Sequence, residues 1–539
     1  MRPYSGIGAL EIVYTGFICF EDHTSMPAIH RISDRHPAVS GWLGELAAKV
    51  FTALVVVVVA AAPSAAQLPT LGDAGDMDVS AERKLGERIA RELYRDPDYL
   101  DDPLLAEYVQ GIWQPLLAAA RKRGELTPEL DERFAWEVLL GKDRSINAFA
   151  LPGGWLGLHL GLISVTTSAD EIASVLAHEL SHVTQRHISR VITQQNRQGP
   201  LMIGAMILGA LAASKSPDAA NAMIVGGQAL AAQTQLNFSR DMEREADRVG
   251  LGIMSQAGFQ PQGFVTMFEK LQQASRHNDN GSFPYLRSHP MTTERIAEMQ
   301  SRQPLGRAAA PPTPTLEHAM MVARARVFSY PGVDGLRAYV AEAKGGDVAT
   351  APVTRQAGVF YGAALASSRL RDAAAASGWL ARLTEVSRGD AKAARLARLL
   401  TAEIALDGGN PARAAELVDI SGDGRPELML GAQARLRAGR SAQASQRLQT
   451  WVTVHPRDAS AWQLLASAYA AQGKALPSIR AEAEAQVAHL DYAAAVDRFK
   501  AAQDLVRRGG AGSDHIEASI IDTRSRQVDS LLREQALER

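Results

Sequence analysis

Residues 171–187 read EIASVLAHELSHVTQRH. On a helix, His178 and His182 stand one turn apart on the same face, so both imidazoles reach one ion. Zinc suits that pair: it takes nitrogen and oxygen ligands tetrahedrally, and a catalytic zinc keeps three protein ligands and one place for water. Glu179 points beside that place. A carboxylate there takes a proton from the water that attacks a peptide carbonyl and passes it to the leaving amine. Gly at 185 and His at 188 would make the site a metzincin, but the chain has Gln185 and Ile188, and His187 falls one residue out of register, as a residue that caps or packs. Further along, FSRDMEREADRVG sets Glu243 and Asp247 four apart on a second helix. Glu243 would complete a His/His/Glu set, and Asp247 would accept the spare N–H of a ligand histidine and fix its tautomer. The plainer alternative is a charged helix face on which Glu243 pairs Arg244 or Arg248. His289, in SHPMTTERI, is a candidate regulator: a neutral imidazole reaching zinc's fourth position would displace the water and hold the site latent. Its alternative is a loop histidine that caps a helix starting near Thr293.

These side chains need helices to carry them, and the chain supplies them. AERKLGERIARELYRD and PLLAEYVQGIWQPLLAAARKRG have apolar residues at three- and four-residue spacing and read as amphipathic helices entering a globular domain. RFAWEVLLG and the stretch from Ile146 to Ile163, divided by Pro152-Gly153-Gly154, predict a small hairpin or edge strands. Extended peptides bind proteases by adding a strand to an open edge, and Trp155 to Leu160 is the expected edge. Between Gly199 and Ala232 the chain is rich in Gly, Ala and Met, and reads as a flap facing membrane or substrate, or as a buried helical hairpin.

With 539 residues, 46% hydrophobic and 22% charged, the chain is long enough for two or three folded domains of ordinary composition. A net charge of -2 provides no basic field for nucleic acid. Residues 51–62, FTALVVVVVAAA, are too few to span a bilayer; with Lys49 before them and Ser64-Ala65-Ala66 after, they read as a secretory signal peptide cleaved before Gln67. Residues 1–66 are thus signal peptide plus an N-terminal extension, the extension being residues 1–25 ahead of a start at Met26. An uncleaved anchor is the alternative. Cys19 is the only cysteine, so the mature chain has no disulfide and tolerates an oxidising compartment such as the periplasm.

Residues 67–302 form the expected catalytic domain, and 303–315, with QPLGRAAAPPTP, a semi-rigid linker. From 316 to 510 the chain is Ala/Leu/Arg-rich helix. Gly439 and Gly473 are 34 apart, the period of tetratricopeptide repeats, which predicts a short α-solenoid, with a plain helical bundle as the alternative. A helical tail covers 511–539.

HELSH followed by EREAD, with NAFALPGG upstream, resembles the M48 family of zinc metallopeptidases, whose motifs are HExxH and ExxxD. The resemblance places the zinc ligands on His178, His182 and Glu243, the catalytic glutamate on Glu179 and the supporting aspartate on Asp247, with one zinc per chain. It implies a mainly α fold, a helical zincin-type domain with a small β-sheet, followed by the repeats. The domain order is similar to a periplasmic subgroup of the family. That subgroup implies an endopeptidase acting on misfolded or stalled outer-membrane proteins, with the repeats docking onto the assembly machinery, chaperone-like activity and peripheral membrane association. The competing reading is a non-proteolytic chaperone or scaffold with a latent zinc site; an intact Glu179 favours the enzyme, since a structural zinc needs no base. A multi-span membrane peptidase would need spans that this sequence lacks.

Overall fold

The computed structural model describes residues 77–194, 239–276, 284–302, 314–422, 424–509 and 515–537. The expected signal segment, the apolar stretch 199–232 and residues 303–313 of the expected linker lie outside the described residues. Among the described residues no helix is long and apolar enough to cross a membrane.

Helix starts follow from capping chemistry. Asp78 opens α1 (Val79–Arg95), and Asp102 opens α2 (Pro103–Arg123), accepting from Leu105 N at 2.9 Å, with Pro103 in the first turn where its missing N–H costs nothing. Ser168 caps α5 (Ala169–Thr184), the helix that carries the HELSH motif. Every residue of α5 from Glu171 to Thr184 is buried, so the motif sits at the centre of the domain. Leu105, Trp113, Leu116 and Leu117 of α2 share one apolar core with Ile172, Leu176 and Leu180 of α5.

Four strands lie in the order β1-β2-β4-β3, with β1 Tyr99–Leu100, β2 Glu137–Gly141, β3 Ala148–Ala150 and β4 Trp155–His159. β2 runs parallel to β4, while β3 and β4 form an antiparallel hairpin around Pro152-Gly153-Gly154. Gly153 and Gly154 have φ of 73° and 87°, and a Cβ at Gly154 would come 2.8 Å from that of Phe134. That turn requires glycine. The expected edge at Trp155 to Leu160 is corrected here: β4 is an interior strand, buried at all five positions, and Leu160 already begins α4 (Leu160–Val165). WLGL is apolar because β4 is flanked by strands on both sides and covered on both faces. The edges are β1 and, beside β4, β3.

Between α2 and α4 comes α3 (Pro128–Arg133), and after α5 come α6 (His187–Gln194), α7 (Arg240–Gln256), α8 (Gln262–Arg276), α9 (Pro284–Ser288) and α10 (Thr293–Ser301). α7 crosses α5 at Gly250, where an added Cβ would meet the Ala177 carbonyl and His178 N at 3.1 Å. A side chain there would be crowded, and the close approach brings the EREAD turn over the HELSH turn.

From Leu316 the chain is a stack of helices: α11 (Leu316–Ser329), α12 (Val333–Ala343), then the pairs α13/α14 (Val353–Arg369, Ala373–Ser387), α15/α16 (Ala391–Asp407, Pro411–Leu417), α17/α18 (Arg425–Arg437, Ser441–Val454) and α19/α20 (Ala459–Ala470, Ala475–Ala488). α21 (Tyr492–Arg507) and α22 (His515–Ala536) close it. Asp372, Asp390, Asn410, Asp458 and Asp491 each cap the helix that follows, and Gly409, Gly439 and Gly473 supply positive φ between paired helices. α22 is integral to the stack: Ile521 and Val528 are buried against Leu476 and Phe499, and Arg524 grips Glu484 at 2.6 and 2.7 Å.

The stack is clasped to the catalytic domain through the first turn and a half of α2. Arg324 binds Asp102 at 2.6 and 2.8 Å and Glu403 at 2.8 Å, Arg395 binds Glu107 at 2.8 and 2.9 Å, and Arg425 binds Asp101 at 2.6 and 2.8 Å. His318 of α11 meets Tyr108 of α2 at 2.6 Å.

Candidate metal centre

His178 and His182 from α5, Glu243 from α7 and His289 just after α9 converge in the buried core, their nearest ligand atoms all within 4.8 Å of one another. His178 Nε2 is 3.0 Å from His182 Nε2 and 3.3 Å from His289 Nδ1. Glu243 Oε1 lies 3.5 Å from His182 Nε2 and 3.0 Å from His289 Nδ1, and Glu243 Oε2 lies 3.6 Å from His178 Nε2. Ligands about 2.0 Å from a tetrahedral zinc stand roughly 3.3 Å apart. The donor set of three imidazoles and one carboxylate, at these spacings, fits such an ion.

Glu179 lies one residue from the first ligand. Its carboxylate is fully buried and neither oxygen has a hydrogen-bond partner among the described residues, although Oε1 is 3.4 Å from His289 Nε2. A buried carboxylate in that state is matched to a water or a substrate proton. His289 stands between Glu179 and the other ligands, its ring stacked on Tyr285 with centroids 4.6 Å apart.

Two further contacts orient the ligands. His178 Nδ1 lies 2.9 Å from Asp247 Oδ1, off the line of a straight hydrogen bond. Asp247 in turn receives Arg295 Nε and Nη2, each at 2.7 Å, while Arg295 Nη1 is 2.8 Å from Glu243 Oε2 and donates to Pro290 O at 2.9 Å. Glu243 therefore pairs with neither Arg244 nor Arg248, and the plain charged-face reading of that helix does not describe it: Arg244 goes to Glu294 at 2.8 Å. His187 is also drawn in, with Nδ1 2.9 Å from His182 Nδ1 and Nε2 3.1 Å from Glu245 Oε2.

The charges follow from these neighbours. Burial disfavours a charged His178, but Asp247 and Glu243 outweigh it and hold the ring up at about 9. Burial, reinforced by the charge on His178, keeps His182 well below the usual histidine range. Against burial, His289 and His178 pull Glu243 well below the usual carboxylate range, and Arg295 and His178 lower Asp247. A divalent cation bound here would displace the proton that Asp247 and Glu243 favour on His178.

All five residues singled out by motif, together with His289, meet in this one place. Arg295, Tyr285 and Glu245 escape sequence reasoning. Arg295 did leave a signal: it sits beside Ile296 and one turn before Met299 on the apolar face of α10, where an arginine must find a buried carboxylate.

Residues 107–303 match peptidase family M48. The beta-barrel assembly-enhancing protease of Escherichia coli (strain K12) is 32% identical over 243 residues, 45% of this chain and 48% of that protein. Its counterpart in Yersinia pestis is 27% identical over 479 residues, 85% of this chain and 92% of that protein. The mitochondrial metalloendopeptidase OMA1 of Saccharomyces cerevisiae is 30% identical over 203 residues, 36% of this chain and 55% of that protein. At 30% identity and above, the chain spans about half the length of these relatives. With HExxH and ExxxD brought together in one buried cluster, the stretch from 107 to 303 is a peptidase family M48 domain.

Proposed function

We propose that this chain is a periplasmic zinc endopeptidase that acts on misfolded or stalled outer-membrane proteins, with the helical stack, read as tetratricopeptide-like repeats, docking partners of the assembly machinery and giving chaperone-like activity. The observation that carries the reading is the convergence of His178, His182, Glu243 and His289 beside a buried Glu179 that has no hydrogen-bond partner among the described residues. Similarity to beta-barrel assembly-enhancing proteases supports the substrate class, and the signal-like segment 51–66 supports the compartment.

In this reading His178, His182 and Glu243 hold the ion, which when bound polarises the scissile carbonyl and acidifies a water. Asp247 holds His178 with its Nε2 toward the cluster. Glu179 takes the proton from the water and delivers it to the leaving nitrogen. The edge strand β3 is the surface on which an extended substrate segment would pair. His289, placed between Glu179 and the other three, would fill the fourth place, and in this reading its imidazole has to leave before a substrate enters.

The same position of His289 favours a second reading, in which the chain is a non-proteolytic chaperone or scaffold with a closed zinc site. Zinc-dependent cleavage of unfolded outer-membrane proteins separates the two. Wild type should cleave, and Glu179→Gln should keep its metal and fold but lose turnover, since an amide accepts no proton. No cleavage by wild type or by a His289→Ala variant would leave the scaffold reading standing.

A further inference from the structure

We propose that His187 and Glu245 are positioning residues for the metal: a two-bond relay through them fixes His182 with its bare Nε2 toward the ion, an inference that rests on the metal reading above. The direction of the relay is set at its outer end. Glu245 Oε2 lies 3.1 Å from His187 Nε2 and 3.1 Å from Arg190 Nη1, which anchors the carboxylate from the next turn of α6. A neutral imidazole carries one N–H, and facing a carboxylate it must carry it at Nε2, because a bare nitrogen there would put two acceptors against each other. His187 Nδ1 is therefore an acceptor. The group 2.9 Å away, His182 Nδ1, has to be the donor. His182 is left with its lone pair at Nε2, the atom that faces His178 and Glu243. With the bonds reversed, His182 would carry its proton in the middle of the ligand cluster and bind no ion.

His187 is itself fully buried, with its two ring nitrogens turned to His182 and Glu245. The backbone is bent to place it. After α5 ends at Gln185, Arg186 takes φ 52°, a left-handed conformation uncommon outside glycine, and the chain folds back so that the His187 ring lies against His182. Arg186 is held in that conformation by Glu82, 3.0 Å from its Nη2, and by the Met77 carbonyl. This turn explains why His187 looks one residue out of register for a metal ligand: it lies behind the second ligand rather than beside it. His178 is oriented directly by Asp247 and His182 indirectly by Glu245, so α7 supplies one ligand and both orienting carboxylates.

The test uses the full mature chain in metal-free form, with Zn2+ affinity measured by competition against a chromogenic chelator and the Co2+ absorption spectrum as a second readout. His187→Phe should weaken zinc binding about 10- to 100-fold, the usual loss for an outer partner of a ligand histidine, and shift the cobalt bands. His187→Asn, whose Oδ1 can accept from His182 Nδ1, should regain most of that loss. Glu245→Ala, at a side chain 31% exposed and so safe for the fold, should weaken zinc roughly tenfold. Zinc affinity within twofold of wild type in both His187→Phe and Glu245→Ala would overturn the relay, as would an Asn variant no better than the Phe variant. If His187→Phe does not fold, Glu245→Ala decides alone. Wild type that binds no zinc would remove the metal reading itself, and the relay with it.

Discussion

Replacing Arg295 by Met keeps the length of the side chain and removes the guanidinium that bridges Asp247 and Glu243. All three side chains are at most 4% exposed, and four contacts between 2.7 and 2.9 Å disappear with the guanidinium. Breaking a buried ion pair from one side costs about 3–5 kcal/mol, because the remaining charge is stranded. Two carboxylates are stranded here, yet a charged His178 and the adjacent His289 still face them, so the cost belongs near the middle of that range, about 4 kcal/mol. For a domain of about 200 residues each kcal/mol moves the melting midpoint by about 2–4 °C, which gives a loss of roughly 10 °C in the metal-free protein. Scanning calorimetry with and without zinc checks both parts of the argument. The loss should shrink with zinc, since the ion then faces Glu243. A metal-free midpoint within about 3 °C of wild type, or an equal loss in both forms, would refute the account of Arg295 as the counter-charge of the acid helix.

Metal analysis should find about one zinc per chain in wild type, and His182→Ala or Glu243→Ala should lose it; unchanged content in either variant would remove that residue from the ligand set. His289→Ala should keep zinc and raise basal proteolysis of an unfolded substrate, and activity at or below wild type would end the latch reading. Acid should loosen the joint between the two regions at His318, which burial holds at about 4 against 6.5 in the unfolded chain. Its contribution is complete above about pH 6.5 and is lost as the pH falls through 4, up to about 3 kcal/mol, because the unfolded state takes the proton first. Urea unfolding at pH 7.5, 5.5 and 4.5 should therefore show a steeper acid loss for wild type than for His318→Gln; parallel curves would exclude His318 as the source.

The chemistry was legible where it depended on one helix. His178 and His182, or Glu243 and Asp247, share a face by the 3.6-residue period alone, and no knowledge of the fold is needed to see it. Arg295 and His187 depend on where the chain returns. Arg295 reaches Asp247 across 48 residues, and His187 is turned back by a left-handed Arg186 that nothing in the sequence announces. Similarly, the run WLGLH has the composition of a strand but does not reveal whether neighbours flank it on one side or two, and so the edge fell to β3. The charged joint was hidden for another reason. Asp102 caps α2, and its second carboxylate oxygen is gripped by Arg324 from 222 residues away, a pairing that no local spacing shows.

That joint constrains how a latent site could open. Arg324, Arg395 and Arg425 come from α11, α15 and α17, and all three hold acids just before or in the first turns of α2, which packs on the motif helix. Arg324 is almost fully buried, and swinging the stack away would break its two charged hydrogen bonds to Asp102, each worth about 1.5–3 kcal/mol, while Glu403 would move with it. A partner bound to the stack gains more by leaving the clasp shut. The segment that carries His289 is short. Arg295 holds it through the Pro290 carbonyl at 2.9 Å, a bond to a charged donor worth about 1.5–3 kcal/mol, and the His289 ring meets Glu243 at 3.0 Å, while the same guanidinium grips Asp247 independently of Pro290. If His289 is a latch, its withdrawal would be a local movement around Pro290, with Glu243 and Asp247 left in place and the stack as a fixed support.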